Sequence, residues 1–140
     1  MKRFTVLLFT TVAISSAAVA QCDKDQILLS SKTEYLNKDS TISRTVDEST
    51  TIEINKKTVT IMPGNDHTMI GEINSVECNW KQPFKEGKSV IKALVEDRGT
   101  MINITLTIEG RAGKVFMIAT MDIAPDKIIR VWADSYEEKK

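Results

Sequence analysis

Residues 102–109 read Ile-Asn-Ile-Thr-Leu-Thr-Ile-Glu. Every second residue is apolar and every other one is polar. On a helix such a pattern would scatter around the circumference. On a strand, Ile102, Ile104, Leu106 and Ile108 share one face while Asn103, Thr105, Thr107 and Glu109 share the other. Gly110-Arg111-Ala112-Gly113 follows, with glycines where a hairpin needs positive φ. The return run from Lys114 to Asp122 is apolar on both faces: Val115, Met117 and Ala119 alternate with Phe116 and Ile118. A chain holding this hairpin must cover at least one face of a sheet, and that constraint governs the rest.

Similar signals recur along the sequence. Ile52 and Ile54 alternate with Thr51 and Glu53, turn at Asn55-Lys56-Lys57, and return through Val59 and Ile61. Pro63-Gly64-Asn65-Asp66 breaks the chain. Thr33–Leu36 and Thr41–Val46 flank the turn cluster Asn37–Ser40. Met69–Asn79 is a strand with mixed faces, as at a bulge or an edge. Ser89–Val95 and Lys127–Ala133 follow, and Ile27-Leu28-Leu29 begins another. Glu137–Lys140 reads as a solvated tail. The expectation is an all-β antiparallel meander of eight or nine strands, curled into a small barrel or folded into a sandwich.

The first twenty residues carry a different signal. Lys2 and Arg3 precede an uncharged run from Phe4, which ends in Ala18-Val19-Ala20. A charged start, an apolar core and a small-x-small end make a cleavable export signal over residues 1–20, with one domain over 21–140. The apolar run is short and rich in Thr and Ser for a membrane span, so none is expected after cleavage. Without Lys2 and Arg3 the chain has two more acids than bases. No basic block is available to track a phosphate backbone, which argues against nucleic acid. The protein is expected in the periplasm or outside the cell. Cys22 and Cys78 would then form a disulfide, which the chain-entropy model values at about 4 kcal/mol. Free thiols remain an alternative. So does a lipid anchor at Cys22, although Gln21 before it is a poor fit for that chemistry.

Catalytic constellations are scarce. The single histidine, His67, sits in a turn and reads as a solvated loop residue. A zinc site needs more imidazoles or closer thiols. No Gly-x-Ser-x-Gly elbow occurs. The acid pairs Asp47/Glu48 and Glu96/Asp97 sit at turns and, as neighbours on extended chain, point apart. We therefore expect a protein that is not an enzyme and needs no cofactor. Asn103-Ile104-Thr105 matches a glycosylation sequon, which matters only in a eukaryotic secretory route.

The stretch Cys78-Asn79-Trp80-Lys81-Gln82-Pro83-Phe84-Lys85-Glu86-Gly87-Lys88 gathers rare residues. Read as a long connection between strands, it places Trp80 and Phe84 at the mouth of the domain. Trp80, Phe84, Trp132 and Lys85 are the candidate ligand-binding residues, for a small apolar ligand inside a barrel. The plainer reading is that the aromatics cover the end of the core and the lysines form a solubilising rim. The alternative is an envelope structural or protein-interaction module with a solid core, whose partner would be an envelope protein.

The runs "NWKQPFKEGKSVIKALVEDRG" and "ITLTIEGRAGKVF…PDKIIR" resemble a group of small exported β-proteins of Bacteroidota-type bacteria. That resemblance implies export and an all-β fold, and no activity. The meander is lipocalin-like at the level of fold, yet the lipocalin Gly-x-Trp opening strand is replaced here by Ile27-Leu28-Leu29-Ser30-Ser31-Lys32. Intact-mass measurement of the processed protein should give an N-terminus at Gln21, no lipid, and a mass two hydrogens below that of the fully reduced chain. A lipid on Cys22 or two free thiols would refute the reading.

Overall fold

The structure, a computed structural model, describes residues 21–64 and 66–140. The expected export signal and Asn65 lie outside the described residues. Nine strands follow in order: β1 (Gln26–Leu36), β2 (Ile42–Ile54), β3 (Thr58–Pro63), β4 (Met69–Gln82), β5 (Glu86–Asp97), β6 (Thr100–Arg111), β7 (Lys114–Met121), β8 (Ala124–Trp132) and β9 (Ser135–Glu138). β2 to β8 pair consecutively and antiparallel, and β1 pairs with both β8 and β2. The meander therefore closes into an eight-stranded barrel. β9 is an extra strand. It takes over from β8 along the first half of β1, where Gln26–Leu29 face Ser135–Glu138.

The register shows why this sequence closes. Residues directly opposite in an antiparallel pair share a face. Leu106 lies opposite Ile91 on one side and Ala119 on the other; Ile108 lies opposite Ser89 and Met117. The alternation of β6 is thus matched on both flanks, and its apolar half points inward. Leu28, Ile52, Val59, Leu106 and Ile108 are each 0% exposed. A void large enough for one water would leave accessible surface on the side chains lining it. At the level of these residues the interior is filled, as an eight-stranded barrel is just narrow enough to allow.

The two-sided run of β7 also has a physical reason. Met117 faces the interior, opposite Ile108. Its neighbour Phe116 faces outward and is still only 7% exposed. There it packs on Trp132, ring centroids 5.1 Å apart, with the Arg111 guanidinium over its other side at 5.6 Å.

Several boundaries differ from the sequence expectation. Of the expected Thr41–Val46 and the run Thr51–Ile54, all but Thr41 belong to one long strand, β2. The polar run Asp47-Glu48-Ser49 reads as a break, but here it is a register shift against Ser30–Lys32, with the Ser30 hydroxyl bonding the Lys32 backbone. The mixed faces of Met69–Asn79 do come from a bulge, between Ile73 and Ser75. Glu137 and Glu138, read as a solvated tail, belong to β9. The supposed long connection after Asn79 is a hairpin: β4 runs to Gln82, β5 starts at Glu86, and Pro83-Phe84-Lys85 alone turn the chain.

That hairpin is folded over the lower end of the barrel by two glycines. Trp80 lies opposite Gly87, which lies opposite Gly110. A Cβ on Gly87 would meet the Trp80 Cα at 2.4 Å; one on Gly110 would meet the Lys85 carbonyl oxygen at 2.4 Å and the Trp80 ring at 3.0 Å. The glycines make the hollow that the indole fills, leaving Trp80 2% exposed. Gly110→Ala should therefore destabilise the barrel by about 1–3 kcal/mol through overpacking. Leu106→Ala should cost about 2–5 kcal/mol by opening a cavity. Lys92→Ala, on the exposed outer face, should stay within about 0.5 kcal/mol. Urea unfolding of the three variants checks this order.

Candidate functional site: the cleft at the barrel base

The base is built from groups distant in sequence. Trp80 Nε1–H donates to the Ser89 hydroxyl at 2.7 Å, and Ser89 is itself 1% exposed. Cys22 and Cys78 stand at disulfide-bonding distance, their Cα atoms 6.4 Å apart. This holds Gln21 beneath the barrel. The Gln21 side chain donates to the Tyr136 hydroxyl at 3.1 Å and accepts from the Phe84 backbone N–H at 2.7 Å. The Tyr136 hydroxyl in turn donates to the Gln26 side-chain amide oxygen, Oε1. Both ends of a buried amide are thereby satisfied, as burial requires. Burial pushes the Tyr136 hydroxyl far above the usual phenol range. Its ring packs edge-on against Phe84 at 4.9 Å and tilted against Trp80 at 5.8 Å.

Beside this plug the barrel wall opens. β8 stops at Trp132, where Ala133 N–H still donates to the Val115 carbonyl at 2.9 Å. One residue on, Asp134 N–H donates to the Leu29 carbonyl at 2.7 Å. The chain has stepped away from β7 towards β1. The step leaves a cleft of about 420 Å³ lined by Phe84, Val115, Trp132 and Tyr136, with Lys114, Asp134 and Ser135 on its polar rim.

One wall of the cleft is held rigidly. Trp132 Nε1–H donates to Glu34 Oε1 at 2.6 Å, and Arg130 donates to Glu34 Oε2 at 2.7 Å. The same guanidinium lies 5.2 Å from the Trp132 ring centroid. The Glu34 side chain is only 8% exposed. Its two oxygens thus each hold one group of the wall, which fixes the indole against rotation.

Of the four expected ligand-binding residues, Phe84 and Trp132 meet in this cleft. Trp80 lies beneath it, sealed in the plug. Lys85 sits exposed on the hairpin turn and does not line the cleft. The site also uses Glu34, Gln21, Val115 and Tyr136, which carry no motif: each contributes by register or by a backbone step. Two wider grooves lie elsewhere. One, of about 540 Å³, runs past Asn74, Lys92 and Asn103 and is lined as well by Ile104, Met121 and Pro125. The other, of about 550 Å³, is an open furrow beside Tyr35, Ile123 and Ile128 at the opposite end. Neither has aromatic rings held by buried polar partners.

Among the described residues, no group of three or more His, Cys, Asp and Glu is arranged to hold a metal ion. No described helix is long and apolar enough to cross a membrane. His67 departs from its expectation of a free loop residue, since Asp66 and Asp97 both contact its ring. Comparison with known proteins adds no relative: no protein-family model, no curated protein and no solved structure matches the chain.

Glu34→Ala should cost about 3–5 kcal/mol, because it leaves Arg130 unpaired in a largely covered place. It should also alter Trp132 fluorescence by freeing the indole N–H. An unchanged unfolding midpoint would show that Glu34 does not hold the wall.

Proposed function

We propose that this protein is an exported, non-catalytic binding domain that takes a small apolar or aromatic group in the base cleft between Phe84 and Trp132, and not inside the barrel. One observation carries the choice of place. The interior side chains of Leu28, Ile52, Val59, Leu106 and Ile108 are inaccessible even to water, whereas the cleft is open and presents rings already fixed in position. Preorganised aromatic surface binds at low entropic cost. Lys114 and Asp134 offer one charge of each sign on the rim, which orients a ligand without demanding that it be charged. The leader pattern of residues 1–20 and the Cys22–Cys78 pair support export.

A second reading has its own support. Ile42, Ile70, Met101 and Ile123 are each more than half exposed, and all sit at the turns or strand ends of the opposite rim. Ile70 and Met101 flank Glu96 in register on the outer face. Such residues suit contact with an envelope protein.

Titration with the fluorescent probe anilinonaphthalene sulfonate separates the readings. The probe should bind the wild type with an emission increase, and Trp132→Ala should abolish most of that increase while the barrel stays folded by circular dichroism. Loss on Ile70→Ser/Met101→Ser, with Trp132→Ala unaffected, would place binding at the opposite rim. Probe binding unaffected by either change would refute the base cleft as well.

A further inference from the structure

The most concentrated group of charges lies at the other end of the barrel and has no part in the base cleft. His67 is the single histidine of the chain. It stands in the connection between β3 and β4. Its Nδ1 lies 2.5 Å from Asp66 Oδ1, and its Nε2 contacts Asp97 Oδ1 at the end of β5. Arg98, in the tight turn to β6, donates through NH2 to Asp66 Oδ1 at 2.9 Å and brings its Nε within 3.2 Å of His67 Nδ1. Two segments some thirty residues apart are joined by one imidazole, two carboxylates and one guanidinium.

The chemistry of the ring makes this arrangement two-state. An imidazolium has two N–H donors and can serve both carboxylates. A neutral ring has one. With the proton kept on Nε2 it still serves Asp97, but Nδ1 then carries a lone pair. That lone pair repels Asp66 and is free to accept from Arg98 Nε–H, which already lies within reach. The same atoms thus support a charged arrangement in which the ring serves both carboxylates and a neutral one in which it serves Asp97 alone, while Asp66 keeps the His67 backbone N–H and Arg98.

We propose that His67 is a pH-operated clasp that ties the β3–β4 connection to the β5–β6 turn, and that loss of its proton loosens the clasp by reducing the bond to Asp97 from a charge-assisted one to an ordinary one. The segment it holds runs directly into Met69, which opens β4 opposite Ile61. Ile61 packs on the hydrophobic core, so the clasp secures the edge of the upper rim. The hydrogen bonds to Asp66 and then Asp97 raise the His67 pKa above its ordinary 6.5. The backbone N–H and then the ring of His67 hold the Asp66 carboxyl down at about 2.

The signs follow from these directions. The histidine contribution is complete below about pH 6.5 and is lost as pH rises through the elevated pKa. The Asp66 contribution is complete above about pH 4 and is lost only as pH falls towards 2. The clasp is closed across the interval between and loosens upward, on the alkaline side. The neighbouring charges do not reverse this. Glu96 points to the outer face between Ile70 and Met101. Asp47 and Glu48 of β2 share a separate cleft with Gly64, and the Arg98 guanidinium, which disfavours a protonated ring, is outweighed by the bonds to Asp66 and Asp97.

A single histidine makes the test direct. In the intact mature protein, the His67 ring signals are followed by NMR from pH 5 to 9 together with the backbone amides of Asp66, Thr68 and Arg98. The expected result is a midpoint above 6.5, shared by the amides, with amide exchange at Thr68 and Met69 accelerating above it beyond the intrinsic pH dependence. Asp97→Asn should lower the midpoint, and His67→Gln should remove the pH-linked step while leaving the base signals of Trp80 and Tyr136 in place. A midpoint at or below 6.5, a midpoint unmoved by Asp97→Asn, or amides that stay still while the ring titrates would each overturn the proposal.

Discussion

The pairing of β1 with β2 is the interaction on which the rest depends. Ten residues of β1 find partners along β2, from Gln26 opposite Ile54 to Leu36 opposite Ile42. Without that seam the meander would be an open sheet with a long apolar face and two raw edges, a form prone to association. With it, the alternating halves of β1, β2, β5 and β6 face one another across a narrow interior, and the hydrophobic effect acts on all of them together. The seam has a cost in regularity. β1 must shift register near Ser30–Lys32, and it must share its other flank between β8 and β9. That shared flank is where the wall opens and the base cleft forms.

Closure and cleft are therefore one feature seen from two sides. β8 pairs with β1 and β7 at once over Ile128–Val131, and just past Trp132 the chain steps sideways at Ala133–Asp134 to hand the flank of β1 to β9. The gap left beside Val115 is bounded by the β4–β5 hairpin through Phe84, with Trp80 seated on Gly87 and Gly110. Gln21, held beside Cys78 through Cys22, bonds both the hairpin and Tyr136. A chain of 120 expected mature residues has a limited core. Here much of its aromatic content goes into sealing one end and bracing the cleft beside it.

The sequence made some of this legible and hid the rest for physical reasons. Strict alternation in Ile102–Glu109 and the glycine hairpin after it identify β6 and β7, because period and turn chemistry are local. The barrel as one of two closures follows from the need to bury a face. The β2 strand was split by Asp47-Glu48-Ser49, since a bulge and a turn look alike in composition. β9 was missed because a short, charged tail gains strand geometry only from the edge of β1. The plug role of Trp80 was one of the readings open from residue type alone; its glycine seat depends on cross-strand register between residues 80, 87 and 110. Glu34 and the grip of Asp97 on His67 rest on contacts across 98 and 30 positions, for which a single sequence carries no signal.

The central claim is that the barrel is filled and that binding belongs to its base. Methyl-labelled protein under xenon pressure tests this most directly, because xenon enters apolar voids and perturbs the methyl groups lining them. The account predicts shifts confined to Val115 and other methyls around the base cleft, with Leu28, Ile52, Val59, Leu106 and Ile108 unmoved. Saturable shifts at those inner methyls would reveal a hollow interior and contradict it.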